Sequence, residues 1–535
     1  MLHRADKAIH IAVAILIATF LLIGLGASAE ENDSFSNAVT SVSPKSSPVI
    51  KILAGTISVT QARDGQRFIL KYQISSTAAQ TVFLGCTLHG PSGNIIEDDT
   101  NETASDNITL SVGTNWYQRE FFLNVPPGAP VGSYSVEWGV DWGTSGFVSI
   151  TTKNALKILS PISVRIPILM YHKVGPVAYS QYWVSTASFT AQMNALKAYG
   201  YTAVTLYDVM NCRAGLETLP SKPIVITFDD AYQNLLTDAF PVLQAVGMQT
   251  VTSFVPTGKV GGDNSWDVGD DDPVIPELTW GNIQQLYQTG MVDFESHTVT
   301  HPYLNLLTAT QLNAELVDSM ATLDTELGYR PIFIAYPYGM FYSREEAAAR
   351  TADYFAGVDS GNGVEMTCAN KWALQRVFID WNTSVNYDPS NPSNFFFNKI
   401  GENISIPYVT VQSVMAPSTC LPTLPGMSTF KPSMTVGIQA LTNNSGSAGH
   451  VMANLKLSTD PAGANIVYDS NAAGEDISAD INPGSESYQW NWTIPSNAAL
   501  GIYYASITFY DVHYVLNFGK TAWLKAFNIS YPSVN

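Results

Sequence analysis

Between Arg165 and Pro407, short apolar runs of strand character alternate with longer amphipathic segments, and this rhythm limits the fold more than any other feature of the chain. The strand-like runs are "IPILMYH", "YTAVTLYDV", "PIVITFDD", "TVTSFVP", "MVDFESH", "RPIFIAYPYG" and "YFAGVDS". The segments "SFTAQMNALKAYG", "AYQNLLTDAFPVLQAVG" and "TATQLNAELVDSMATLDTELG" carry apolar residues at spacings of three and four and glycine near their ends, as helices do. Parallel neighbours need long crossovers, so strand–helix alternation predicts a parallel sheet covered by helices. About seven such units in succession favour a closed (β/α) barrel over an open doubly wound sheet.

The flanks read differently. A chain of 535 residues exceeds what one core supports, roughly 250–300 residues, so further domains are expected. Residues 50–160 and 431–535 show short alternating runs broken by Gly, Pro, Asn and Asp, the pattern of all-β sandwiches. The segment "YQREFFLNVPPGAPVGSY" resembles "YQWNWTIPSNAALGIY", each with Pro, five residues, Gly, one residue and Tyr, which suggests two copies of one Ig-like module. The barrel is expected over 161–410 and a linker over 411–430, where "MAPSTCLPTLPGMSTFKP" is rich in Pro, Ser and Thr.

Residues 1–29 read as a signal peptide: Arg4 and Lys7 precede an apolar run from Ile11 to Gly26, and Ala27-Ser28-Ala29 offers a small-residue cleavage site. Retained, the same run would be an N-terminal membrane anchor; residues 30–49 then form a linker. Either way the chain is expected outside the cell or at its surface. The net charge of -19 with no basic cluster excludes nucleic acid and an anionic membrane surface as partners. Cys86, Cys212, Cys368 and Cys420 lack CxxC spacing, so thiolate metal and redox motifs are excluded, while an oxidising compartment would allow one disulfide among the last three. Sequons at Asn101, Asn107, Asn403 and Asn491 fit an exposed, secreted surface.

The polar residues of the barrel region gather where strands finish. Asp229 and Asp230 end "PIVITFDD", His172 ends "IPILMYH", His297 and His301 follow "MVDFES", and Tyr338 and Gly339 end "IAYPYG". In a parallel barrel those ends converge on one mouth. Two adjacent buried carboxylates repel unless one takes a proton or a cation neutralises it. Two imidazoles four residues apart plus one of the aspartates make a three-ligand set with an open position, suited to zinc or a similar transition ion in a catalytic role. The other carboxylate could then accept a proton from water. Taken singly, the aspartates could be helix caps and the histidines core residues; the joint placement favours chemistry. Neighbouring carboxylates do not suit a glycosidase, whose pair stands about 5–9.5 Å apart.

"TFDDA", "SHTVTH" and "YPYG" resemble the three motifs of the NodB-like polysaccharide deacetylases of carbohydrate esterase family 4, and "IPILMYHKVG" resembles the poly-N-acetylglucosamine deacetylase branch, over about Arg165 to Asp380. The resemblance implies Asp229 as general base, Asp230, His297 and His301 as ligands of zinc (or cobalt or nickel), and the Tyr338 backbone N–H as an oxyanion donor. It implies hydrolysis of N-acetyl groups from an amino-sugar polysaccharide. Two departures stand out. Ala335 occupies the place of the arginine that orients the base, for which Arg376 in "LQRVFID" is the candidate substitute, and no histidine between His301 and His450 can supply the late general acid, a role given to His172. Ala231 replaces the motif glycine. Trp266, Trp280 and Tyr336 are candidate sugar-binding aromatics, and the sandwiches are candidate cell-surface glycan binders. An O-acetyl esterase and a non-catalytic glycan-binding surface protein are the alternative readings.

Overall fold

The computed structural model describes residues 48–529 except 99–106, 127, 144–145, 268–271, 387–390, 403–408, 416–428, 431–434, 482, 512–516 and 521–523. The signal segment, most of the 30–49 linker, Cys420, Asn101 and Asn403 lie outside the described residues.

Seven parallel strands close a barrel: β1 (Ile168–Tyr171), β2 (Pro223–Phe228), β3 (Val251–Val255), β4 (Val292–Ser296), β5 (Phe333–Ala335), β6 (Ala356–Asn362) and β7 (Leu374–Phe378). Closure is made by β1, which pairs with β2 (Ile168 opposite Val225) and with β7 (Leu169 opposite Val377). Strands β1, β3, β4 and β5 are buried at every position, as expected when helices cover one face and the barrel interior fills the other. The covering helices are α1 (Thr186–Ala198), α2 (Leu206–Ala214), α3 (Phe240–Val246), α4 (Trp280–Gln288), α5 (Ala309–Leu327) and α6 (Ser343–Thr351). In α5, Leu312, Leu316, Met320 and Leu323 line one stripe, each buried apolar side chain contributing roughly 1.5–3 kcal/mol. A Thr308 capping box starts α5 and a left-handed Gly328 ends it.

One expected strand is corrected. In "YTAVTLYDV" only Thr202–Ala203 pairs, against the start of β2, and the rest enters α2. Thr205 and Asp208 form a reciprocal capping box and Gly215 a left-handed C-cap, and these local hydrogen bonds override the strand propensity of Tyr, Val and Thr. The seventh barrel strand is instead Leu374–Phe378, which carries Arg376 into the barrel.

Each flank is a pair of sheets. Before the barrel, a sheet of Ile50–Ile57, Arg67–Ser76 and Gly113–Phe122 shares one core with a larger sheet built around Gln80–His89, Gly132–Asp141 and Phe147–Ile158. After it, Val409–Met415, Thr435–Asn444 and Gly484–Thr493 make the small sheet, and Gly449–Ser458, Gly501–Tyr510 and Leu524–Ile529 the centre of the large one, in the same order. The first strand of this second unit therefore lies mostly in the stretch read as linker. The Tyr134 and Tyr503 hydroxyls each donate to a carbonyl four residues earlier, of Pro130 and Ala499.

The first unit is joined to the barrel by buried ion pairs: Asp64 accepts from Arg213 Nη1 at 2.7 Å and from Lys371 Nζ at 2.8 Å. The second meets the barrel where Tyr199 donates to Asp511. Cys212 and Cys368 are free thiols, so no disulfide joins them. Among the described residues no helix is long and apolar enough to cross a membrane.

Candidate metal centre at the barrel mouth

Asp229 and Asp230 leave β2 in a sharp turn. Asp229 N donates to Tyr171 O on β1, and Asp230 and Ala231 then adopt left-handed φ of 71° and 56°. Ala231 thus takes a conformation that favours glycine and carries a Cβ there, a strain of roughly 1–2 kcal/mol that the turn sustains. The turn aims the two carboxylates at different partners.

Asp229 is gripped bidentately by Arg376, Nη1 to Oδ1 and Nη2 to Oδ2, both at 2.7 Å. Arg376 is itself held by Asp359 O and Thr227 Oγ1. Burial pushes the Asp229 carboxyl up, but the guanidinium and His297 outweigh it and hold it well below the usual carboxylate range. Asp229 is therefore an anion fixed in orientation.

Asp230 has no such partner. Its Oδ1 lies 3.5 Å from both His297 Nε2 and His301 Nε2, and these three ligand atoms fall within 4.8 Å of one another. That Oδ1 is buried without a hydrogen-bond donor. Burial, then the nearby Asp267 and Asp229, pushes its pKa well above the ordinary value. His297 Nδ1 donates to Ala335 O at 2.7 Å, which fixes the proton there and turns the Nε2 lone pair toward Asp230. Burial lowers the pKa of His297, and burial with His297 holds His301 at about 2, so both imidazoles are neutral. Two neutral nitrogens and an unneutralised carboxylate converging on one point fit a divalent cation, and the donor set suits zinc.

The loop carrying the histidines is strained and braced. Thr298 and His301 have φ of 68° and 59°. Glu315 of α5 accepts from Val299 N, Thr300 N and Thr300 Oγ1, holding the loop in that shape. Tyr338 also has a left-handed φ of 59°, in the turn Pro337–Gly339. A Cβ on Gly339 would sit 1.8 Å from Ser360 Oγ, so only glycine fits.

His172 stands at the end of β1 with its ring against Tyr182 (5.2 Å) and Phe378 (5.9 Å). Its Nδ1 is buried and unpartnered. Burial brings its pKa to about 4, with Asp229, Arg376 and His297 near enough to act on it. Trp266 lies at the mouth, its ring 4.9 Å from that of His301 and its Nε1 donating to Glu277.

Two candidate aromatics are not brought there. Trp280 opens α4 and packs on the barrel core, and Tyr336 is 1 % exposed, stacked on Phe341 inside the α5 and α6 cluster. Two others were missed. Tyr303 stacks on Tyr338 at 4.0 Å with both rings about half exposed, and Tyr182 covers His172. The only sequence signal for Tyr303 was its place two residues after His301.

A family model described as polysaccharide deacetylase matches residues 217–356. The putative polysaccharide deacetylase YxkH of Bacillus subtilis (strain 168) is 30% identical over 215 residues, 40% of this chain and 71% of that protein. The poly-beta-1,6-N-acetyl-D-glucosamine N-deacetylase of Escherichia coli (strain K12) is 30% identical over 142 residues, 25% of this chain and 21% of that one. Among solved structures, the Streptococcus pyogenes deacetylase PplD in complex with acetate is similar with a TM-score of 0.37 and 26% identity, covering 44% of this chain and 99% of that chain. The chain belongs to the polysaccharide deacetylase family, whose members are hydrolases acting on amide bonds.

Proposed function

We propose that this chain removes N-acetyl groups from an amino-sugar polysaccharide, poly-N-acetylglucosamine or a chitin-like or cell-wall glycan, outside the cell, releasing acetate. Asp230, His297 and His301 would hold the metal, zinc by their donor set with cobalt or nickel as substitutes. When bound, such an ion polarises the acyl carbonyl and lowers the pKa of water from 15.7 toward about 7. Asp229, ionised and aimed by Arg376, accepts the proton of the attacking water; a weak base suffices once that water is acidic. The Tyr338 backbone N–H serves the oxyanion. His172, neutral at rest, would hand the departing amine the proton that Asp229 has taken from the water, and the negative charge that develops beside it favours its transient protonation. Tyr303, Tyr338 and Tyr182 offer exposed rings around the mouth for pyranose faces.

The observation that carries the reading is the asymmetry of the aspartate pair: one carboxylate fully engaged by Arg376, its neighbour left with an orphaned oxygen facing two imidazoles. The test is acetate release by the zinc-loaded chain from N-acetylated chitooligosaccharide or poly-N-acetylglucosamine, with O-acetylated xylan in parallel and the Asp229→Asn and His297→Ala variants as controls. Acetate from the amino-sugar polymers, abolished in both variants, is expected. Release from xylan alone would make the chain an O-acetyl esterase, and binding without any release would make it a glycan-binding protein.

A further inference from the structure

We propose that Lys173 is a positioning residue for the metal centre, acting through Asp267 and the Trp266 ring. The inference rests on reading Asp230, His297 and His301 as the metal ligands. Lys173 follows His172 on a three-residue strand, Lys173–Gly175, and its side chain is completely buried. Burying an ammonium costs several kcal/mol unless it is paired, so a lysine in this position needs strong partners. It has them: Nζ donates to Asp267 Oδ2 at 3.0 Å and Asp272 Oδ2 at 3.4 Å, and lies 4.6 Å from the centre of the Tyr232 ring.

These partners lead to the ligands by two routes. Asp267 Oδ2 also accepts from the Tyr232 hydroxyl, and that hydroxyl faces Asp230, two residues earlier in the chain. Asp267 directly follows Trp266, whose ring abuts His301 and whose indole N–H is tied to Glu277. One ammonium therefore joins the segment bearing His172, the turn bearing Asp230 and the loop bracing His301. Charge points the same way. Among the described residues Arg376 pairs with Asp229 and Lys173 with Asp267 and Asp272, while Asp230 has no lysine or arginine partner and is left for a cation to complete.

The two roles Lys173 could play have opposite signs. As a mere charge it repels the ion, so its removal would tighten zinc binding. As a positioner it holds the loop and the turn in place, so its removal would weaken binding about 10–100-fold, the usual effect of outer-shell substitutions. Zinc affinity of the full chain, measured by competition with a chromophoric chelator, separates them in Lys173→Met, with the thermal melt reporting folding. The proposal predicts a 10–100-fold loss of affinity, and the double variant Lys173→Met/Asp267→Asn, which removes both partners of the ion pair, is expected to show the same loss. Tighter binding in Lys173→Met, or wild-type affinity in the double variant, would overturn it. If Lys173→Met does not fold, the double variant decides alone. A wild-type chain that takes up no zinc would instead refute the ligand assignment.

Discussion

Asp64 and Asp230 are buried to the same degree, 3% and 4% exposed, yet the chain treats them oppositely. Asp64, at the seam between the first all-β unit and the barrel, receives Arg213, Lys371 and Val125 N. Asp230, at the mouth, receives no cationic side chain, and one of its oxygens has no donor at all. A buried carboxylate that the chain completes is architecture. One that it leaves incomplete costs stability unless something from outside completes it. Strain divides the same way: of the eight non-glycine residues with positive φ among the described residues, Asp230, Ala231, Thr298, His301 and Tyr338 lie at the mouth.

The sharpest way to break the comparison is to neutralise Asp230. Asp230→Asn should lose its metal and several kcal/mol of transition-state stabilisation, on the order of 10³-fold or more in acetate release. The metal-free variant should melt no lower than metal-free wild type, because an incompletely partnered buried carboxyl has gone. Metal analysis and melting curves check both; full zinc content would show that Asp230 is not a ligand. The reciprocal change, Asp64→Asn, removes the one carboxylate that Arg213 and Lys371 share and should cost about 3–5 kcal/mol in chemical denaturation, with kcat per folded molecule unchanged. Loss of activity without loss of stability would erase the distinction drawn between the two sites.

Arg376 joins the two kinds of site, since it completes a carboxylate but does so at the mouth. Arg376→Lys keeps a positive charge and loses the bidentate grip. We expect acetate release to fall about 10²-fold, the low end of what a positioned base contributes, with zinc content intact. Unchanged kcat would mean that Asp229 needs no such orientation.

The mouth was more legible in the sequence than its supports. Asp229, Asp230, His297 and His301 announce themselves because adjacent acids and paired histidines at strand ends are costly without a purpose. The arginine partner could be named, but the strand that delivers it could not: Leu374–Phe378 is five residues long with a charge at its centre, while "YTAVTLYDV" looks like a better strand and is turned into a helix by two side-chain caps. Tyr336 and Trp280 read as sugar platforms because they are aromatic and near motifs, yet the first is packed under α6 and the second on the barrel core. Sequence spacing cannot tell which face of a three-residue strand or a first helical turn a ring will take. The recurrence around Tyr134 and Tyr503 was visible because a side chain that must reach a carbonyl four residues back fixes its own spacing.

The smallest effect comes from a carboxylate that is completed but stands near water. Glu137 in the first all-β unit accepts from Ser149 Oγ at 2.7 Å and pairs with His89 Nε2 at 2.8 Å, the carboxylate and the imidazole each about a quarter exposed. The Ser149 hydroxyl first, and then His89, lower its pKa below the ordinary glutamate value. A carboxyl whose folded pKa is depressed adds stability above its unfolded pKa and loses it as pH falls through the folded one. Solvent screens this pair, so the contribution should be at most about 1 kcal/mol, against several for Asp64. Urea melts of wild type and Glu137→Gln should therefore differ by that small amount at pH 7 and converge once the pH falls below the folded pKa of Glu137. A gap that persists in acid, with the carboxyl protonated, would mean that Glu137 acts through packing, and that completion by partners matters only where water is excluded.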